Sequence, residues 1–144
     1  MDWSVMGTMK HEDVTEGVIG AYYHVYNTLG YSFLEKVYEH ALTHELRARG
    51  FAVTTQHPIT VWYKGIPVGE YFADLLVNEC ISVELKSAVT LTDVHEAQLV
   101  NYLKATGIEV GLLLNFGPKA QVERKVYSKA TNGTQSGSYP RSSA

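Results

Sequence analysis

Four charged residues have types and spacings that suit work on a phosphate: Glu35, Asp74, Glu84 and Lys86. Side chains alternate faces along a strand, so in Ile81-Ser82-Val83-Glu84-Leu85-Lys86 the odd positions enter one layer and Ser82, Glu84 and Lys86 point to the other. Glu84 and Lys86 then stand about 6–7 Å apart. Asp74 is a lone charge among Phe72, Ala73, Leu75, Leu76 and Val77 in the preceding strand. If the loop between the strands is Asn78-Glu79-Cys80, Val77 pairs with Ile81 and Asp74 faces Glu84. A two-residue loop would put the two carboxylates on opposite faces. Opposed like charges destabilise a strand pair, and a divalent cation between them reverses that term. Two carboxylates beside a lysine suit a hard, oxygen-liking ion, Mg²⁺ or Mn²⁺. Such an ion activates water and neutralises a phosphate under attack, and the Leu85 backbone carbonyl is available as a further ligand. Lys86 would hold the nucleophile or a phosphate oxygen. The competing reading is a surface hairpin with ordinary charges.

The elements that must position these groups are legible as patterns. Asp13 and Glu16 fit a capping box opening a helix in which Val14, Val18, Ala21, Tyr22, Val25 and Leu29 form one apolar face, stopped at Gly30. Ser32 and Glu35 fit a second capping box, followed by Leu34, Val37, Tyr38, Ala41, Leu42 and Leu46 and an end at Gly50. Glu35 therefore has two candidate uses, as a cap and as a third carboxylate reaching the ion directly or through water. After Gly50 the texture turns β-branched and aromatic. Strands are expected at 51–55, 59–63, 68–77 and 81–86, with a turn at Lys64-Gly65-Ile66-Pro67. Thr92 or Asp93 caps a helix over about 94–105, closed by Gly107. His95, Gln98 and Tyr102 share one face of it, either overlooking the carboxylates or forming a plain hydrogen-bonded stripe. The nearly all-apolar run 110–116 reads as a strand covered on both faces, and 122–127 as a short last strand. The order predicts a mixed α/β sheet of four to five strands flanked by helices, with a β-α-β crossover making 81–86 and 110–116 parallel.

Asp74 followed by Glu84-Leu85-Lys86 resembles the PD-(D/E)xK nuclease signature. Gln98-Leu99-Val100-Asn101-Tyr102 resembles the QxxxY motif of its RecB-like branch. The stretch from Leu29 to Glu39 is similar to the signature of the small GxxExxY proteins, as are Gln56, Tyr63-Lys64-Gly65, residues 73–77, His95-Glu96-Ala97-Gln98 and Ala105-Thr106-Gly107. The resemblance runs from about Lys10 to Gly117. It implies a restriction-endonuclease-like core, taken as 11–128 with an N-terminal extension at 1–10, and the Gly, Ser, Thr and Asn that dominate from Thr131 onward, without periodicity, give the expectation of a flexible polar, basic tail at 129–144. It implies Glu35, Asp74 and Glu84 as metal ligands with Lys86 as the catalytic lysine, and Gln98 and Tyr102, with His95 beside them, in contact with nucleic acid or bracing the site. Ser32 stands where the group has glycine, a change expected to keep the cap at little cost, and Ala73 replaces the signature proline.

Composition bounds the alternatives. The 144 residues are 45% hydrophobic and 19% charged, enough for one folded domain. No apolar run nears the roughly 20 residues of a membrane helix, and Met1 to Lys10 lacks the layout of a secretory signal. The single cysteine, Cys80, forms no internal disulfide or thiolate zinc site and lacks an activating base, and a reducing cytoplasmic setting is the expectation. His40 and His44 stand at i and i+4 without an evident third ligand, and His57 before Pro58 reads as structural. No phosphate-binding glycine loop is present. The net charge is −3, but residues 119–144 carry +4 (Lys119, Arg124, Lys125, Lys129 and Arg141 against Glu123), leaving −7 on the rest. An acidic body argues against tight non-specific nucleic-acid binding, which runs on phosphate neutralisation. The leading expectation is a metal-dependent nuclease acting on DNA sooner than RNA. The alternatives are a non-catalytic nucleic-acid-binding or assembly module on the same fold and, third, a small-molecule enzyme. A small nuclease domain suits a homodimer that wraps a duplex, though nothing in the sequence fixes an interface.

Overall fold

The computed structural model describes residues 11–128. The expected extension at 1–10 and tail at 129–144 lie outside the described residues. The chain runs α1 (Glu12–Leu29), α2 (Glu35–Ala48), β1 (Val53–Tyr63), β2 (Ile66–Val77), β3 (Ile81–Lys86), α3 (Asp93–Thr106), β4 (Val110–Phe116) and β5 (Ala120–Val126). The five strands form one sheet in sequence order. Neighbours are antiparallel except β3 and β4, which are parallel across the α3 crossover. This is the expected restriction-endonuclease-like core, a mixed sheet flanked by helices.

Alternation sorts the two faces. Val83 and Leu85 of β3, with Leu112, Leu114 and Phe116 of β4, join Val18, Tyr22 and Val25 of α1 and Tyr38, Leu42 and Leu46 of α2 in the main core. Every residue of β4 is buried, Asn115 included, as its nearly all-apolar run leads one to expect. On the opposite face Leu99 and Leu103 of α3 are fully buried. A Cβ on Gly111 would come within 2.8 Å of Leu99 Cδ1, so only glycine lets α3 sit this close to β4.

Three local expectations are corrected. First, neither early capping box forms. α1 starts at Glu12 behind His11 with no side-chain cap, so Asp13 lies inside the first turn and caps nothing. α2 starts at Glu35 behind Leu34, again without a side-chain cap. Second, the segments 51–55 and 59–63 are one strand. Its interruption shrinks to Gln56 at φ 53, and Pro58 is tolerated because β1 is an edge strand whose outer N–H is not needed. Third, Ser32 sits at φ 93, in the left-handed region that favours glycine, and caps nothing. Ser32→Gly is therefore expected to stabilise the protein by about 1 kcal/mol, the relieved strain outweighing the glycine's greater freedom when unfolded. Chemical denaturation checks this, and an unchanged or lower midpoint contradicts it.

Candidate active site

The hairpin between β2 and β3 has the three-residue loop on which the opposition of Asp74 and Glu84 depends, since Val77 pairs with Ile81. Asn78 and Glu79 take positive φ (50 and 56), and the Cys80 N–H closes the turn on the Val77 carbonyl at 3.0 Å. Backbone pairing then extends only as far as Leu75 and Val83. Beyond it Asp74 takes over with its side chain, Oδ2 accepting the Leu85 N–H at 2.8 Å. N–H and C=O of one strand residue point the same way, so the Leu85 carbonyl also faces β2 here. The carboxylates thus stand where the ladder opens.

Glu84 is only 7% exposed, and its Oε2 is buried with no hydrogen-bond partner among the described residues. Burial pushes its carboxyl up to about 8, helped by the charge of Asp74 and, less, of Glu35, while the Asp74 backbone N–H and Lys86 pull it down. Asp74, half-buried, is also raised, chiefly by burial and then by Glu39 and Glu35, against the Leu85 N–H and Lys86. Four predicted site residues therefore lie in one electrostatic neighbourhood. They do not close on one point. Among the described residues no three His, Cys, Asp or Glu side chains stand close enough to hold an ion by themselves. Glu35 is exposed and its Oε2 accepts the Ser87 N–H at 3.0 Å, tying the first turn of α2 to the end of β3.

The donor set nonetheless fits a hard divalent ion. A buried carboxylate oxygen without a partner, opposed by a second carboxylate, is an arrangement that a cation satisfies. The Leu85 carbonyl adds an oxygen on the same side, and waters would fill the remaining positions, as Mg²⁺ prefers.

Other predicted residues separate. Tyr102 is half-buried against Tyr71, ring centroids 5.1 Å apart, and the charges of Glu84 and Asp74 add to burial in raising its hydroxyl. Gln98, one turn earlier on α3, is exposed. His95 is spent on capping. Its Nδ1 accepts the Thr92 N–H at 3.1 Å while its own N–H donates to Thr92 Oγ1, the capping box that α1 and α2 lack. His40 and His44 lie on α2 with no third ligand among the described residues.

Several supports have no counterpart among the predicted site residues. Glu39 is 5% exposed, its Oε1 accepting from Lys36 Nζ and Gln56 Nε2, each at 3.1 Å, and it presses on Asp74. Its spacing of four from Glu35, one helix face, is the signal that could have found it. Tyr38 is fully buried, stacked on Phe116 at 4.3 Å. Its hydroxyl donates to the Gly30 carbonyl at 2.5 Å and accepts the Phe33 N–H at 3.2 Å, fixing the loop that launches Glu35. Asn115, paired with Lys86 across β3 and β4, is fully buried. It grips the Ala88 N–H and carbonyl, both at 2.9 Å, and the Lys119 carbonyl at 3.1 Å, while Gln121 Oε1 accepts the Leu91 N–H at 2.9 Å. That clamp fixes the chain as it leaves Lys86.

A family model described as the PD-(D/E)XK nuclease superfamily matches residues 12–126. No curated protein matches the chain. Among solved structures, the crystal structure of SSO0001 is similar at 18% identity and a TM-score of 0.51, over 74% of this chain and 60% of that one, a likeness of fold.

Proposed function

Because the chain belongs to the PD-(D/E)XK nuclease superfamily, we propose that it is a metal-dependent nuclease hydrolysing phosphodiester bonds, with DNA as its substrate ahead of RNA and Mg²⁺ or Mn²⁺ as its ion. The observation that carries the reading is the buried, partnerless Glu84 Oε2 opposed by Asp74 beside Lys86. Asp74, Glu84 and the Leu85 carbonyl would hold the ion, with Glu35 reaching it through water. When bound, it would lower the pKa of a water and neutralise charge on the phosphate. The chain's own groups do the rest. Lys86 orients the attacking oxygen and offsets the negative charge that grows on the phosphate. Glu35, through Ser87, holds the end of β3 at a fixed distance from α2. Gln98 and Tyr102 steady the nucleic acid beside the carboxylates. The resemblance to the GxxExxY group adds Glu35, at the start of α2, to the site, and the grip of Tyr38 on Gly30 fixes the loop that launches it.

The test is incubation with single-stranded, duplex and branched DNA, and with RNA, in Mg²⁺ or Mn²⁺. The expected result is cleavage that stops on chelation and in Glu84→Gln. Cutting of none of these substrates contradicts the reading. One observation favours the non-catalytic alternative, a binding or assembly module on the same fold: among the described residues the carboxylates do not gather in threes. Calorimetry separates the two, since that module would bind neither ion.

A further inference from the structure

A cavity of about 490 Å³ opens between the outer part of β1 and β2 and the exposed face of α3. It falls within the 300–1,000 Å³ usual for small-ligand sites. Its walls include the rings of Trp62, Tyr71 and Tyr102, the amides of Gln98 and Asn101, and Lys104 at one side. Trp62 is 62% exposed and Tyr71 46%, so neither is held there by a core. The register of β1 against β2 slips between Val61 and Trp62, and a slip of this kind re-aims the side chain that follows it. Tyr102 belongs to both places, lining the cavity while lying within the fields of Glu84 and Asp74.

Flat rings flanked by side-chain amides match one ligand chemistry well. The π-face of a nucleobase stacks on aromatic rings, and its polar edge pairs with amide donors and acceptors. A base inside a duplex offers neither, because its faces and its pairing edge are already occupied. Charge points the same way. With a net charge of −3, the chain as a whole gains little from phosphate neutralisation, so stacking is the interaction best placed to supply affinity.

We infer that this cavity seats one unstacked base of the substrate strand, next to the phosphodiester presented to Asp74, Glu84 and Lys86, so that the substrate class is single-stranded, frayed or base-flipped nucleic acid. The inference rests on the nuclease reading for its ligand. Gln98 and Tyr102 then act as wall and floor of a base seat, and the β1–β2 hairpin is the arm that carries Trp62 to it.

The test uses the full chain in chelator, so that binding is read without cleavage. A labelled oligothymidine strand and a blunt duplex of equal length are titrated by fluorescence anisotropy. Wild type is expected to prefer the single strand, with a shallow salt dependence. Trp62→Ala is expected to weaken single-strand binding about 5- to 100-fold, Trp62→Phe to stay within a few-fold of wild type, and duplex binding not to change. Since Trp62 is largely exposed, its replacement leaves the core intact. In a Trp3→Phe background the emission of Trp62, the remaining tryptophan of the two, should be quenched by the oligothymidine. Absence of single-strand binding, absence of quenching, or wild-type affinity in both Trp62→Ala and Tyr71→Ala overturns the base seat. The two readings fail separately. Trp62-dependent binding by a protein that cuts nothing in Mn²⁺ upholds the seat and ends the nuclease reading. Metal-dependent cutting with binding indifferent to Trp62 and Tyr71 does the reverse.

Discussion

Glu84→Gln raises the melting midpoint of the metal-free protein at pH 8, on the order of 10 °C, and removes most of its pH dependence. Proton linkage sets the effect. The Glu84 carboxyl is pushed up to about 8 in the folded chain from an ordinary 4.5. Between those values the native protein holds a proton that the unfolded chain has released. The Glu84 contribution to stability is therefore fully present below pH 4.5, falls as pH rises, and levels off above 8. Asp74 is moved the same way, so it adds to the slope. A tenfold change in proton affinity is worth about 1.4 kcal/mol, so the pair costs the metal-free protein a few kcal/mol at pH 8. Glutamine keeps the shape and removes the charge. A cation should recover the same energy in wild type, so Mg²⁺ or Mn²⁺ is expected to raise its midpoint and to do little for Glu84→Gln. Scanning calorimetry between pH 5 and 9, with and without metal, checks both halves. A wild-type midpoint flat across that range and equal to that of the variant would sink the electrostatic account of the site.

Lys86→Ala should slow cleavage by about 10²- to 10³-fold in metal-bound protein that stays folded at the assay temperature. Lys86 is partly exposed, so its loss opens no cavity in the core. A second readout separates its catalytic role from a structural one. Lys86 lowers the carboxyl pKa of both Asp74 and Glu84. Without it both keep their protons to higher pH, so the acidic limb of the residual rate profile should move upward. A slow variant with an unmoved profile would place Lys86 outside the field of the carboxylates. Wild-type cleavage in Lys86→Ala would remove it from the mechanism.

Legibility in the sequence follows how local each determinant is. The helix faces of α1 and α2 and the parallel pairing of β3 with β4 rest on spacing within short stretches, and the structure has them, while the loop length after Val77, left open by the sequence between two residues and three, is settled by the pairing of Val77 with Ile81. The break expected at His57-Pro58 does not appear, because an edge strand absorbs a proline that a central strand would reject. The capping boxes at Asp13 and Ser32 match by residue type alone, and a tertiary partner wins in the second case: Ser87 takes the carboxylate that would have folded back on its own helix. Alternation alone places Glu84 and Lys86 side by side, and the three-residue loop then brings Asp74 opposite them. The reach of Glu39 to Gln56, and of Asn115 to Ala88, joins segments that no periodicity links.

The Asn115–Gln121 clamp has a temporal consequence. The stretch that follows Lys86 is tied down by side chains about thirty positions further along. A chain made from its N-terminus has β2, β3 and all four charged groups in hand well before those side chains exist. The frame around the candidate site is therefore expected to stay loose until the last two strands of the sheet dock. A nascent or truncated chain ending short of β4 would carry the acids and the lysine yet lack the frame that sets them, which delays assembly of the candidate site until synthesis of the domain is nearly complete.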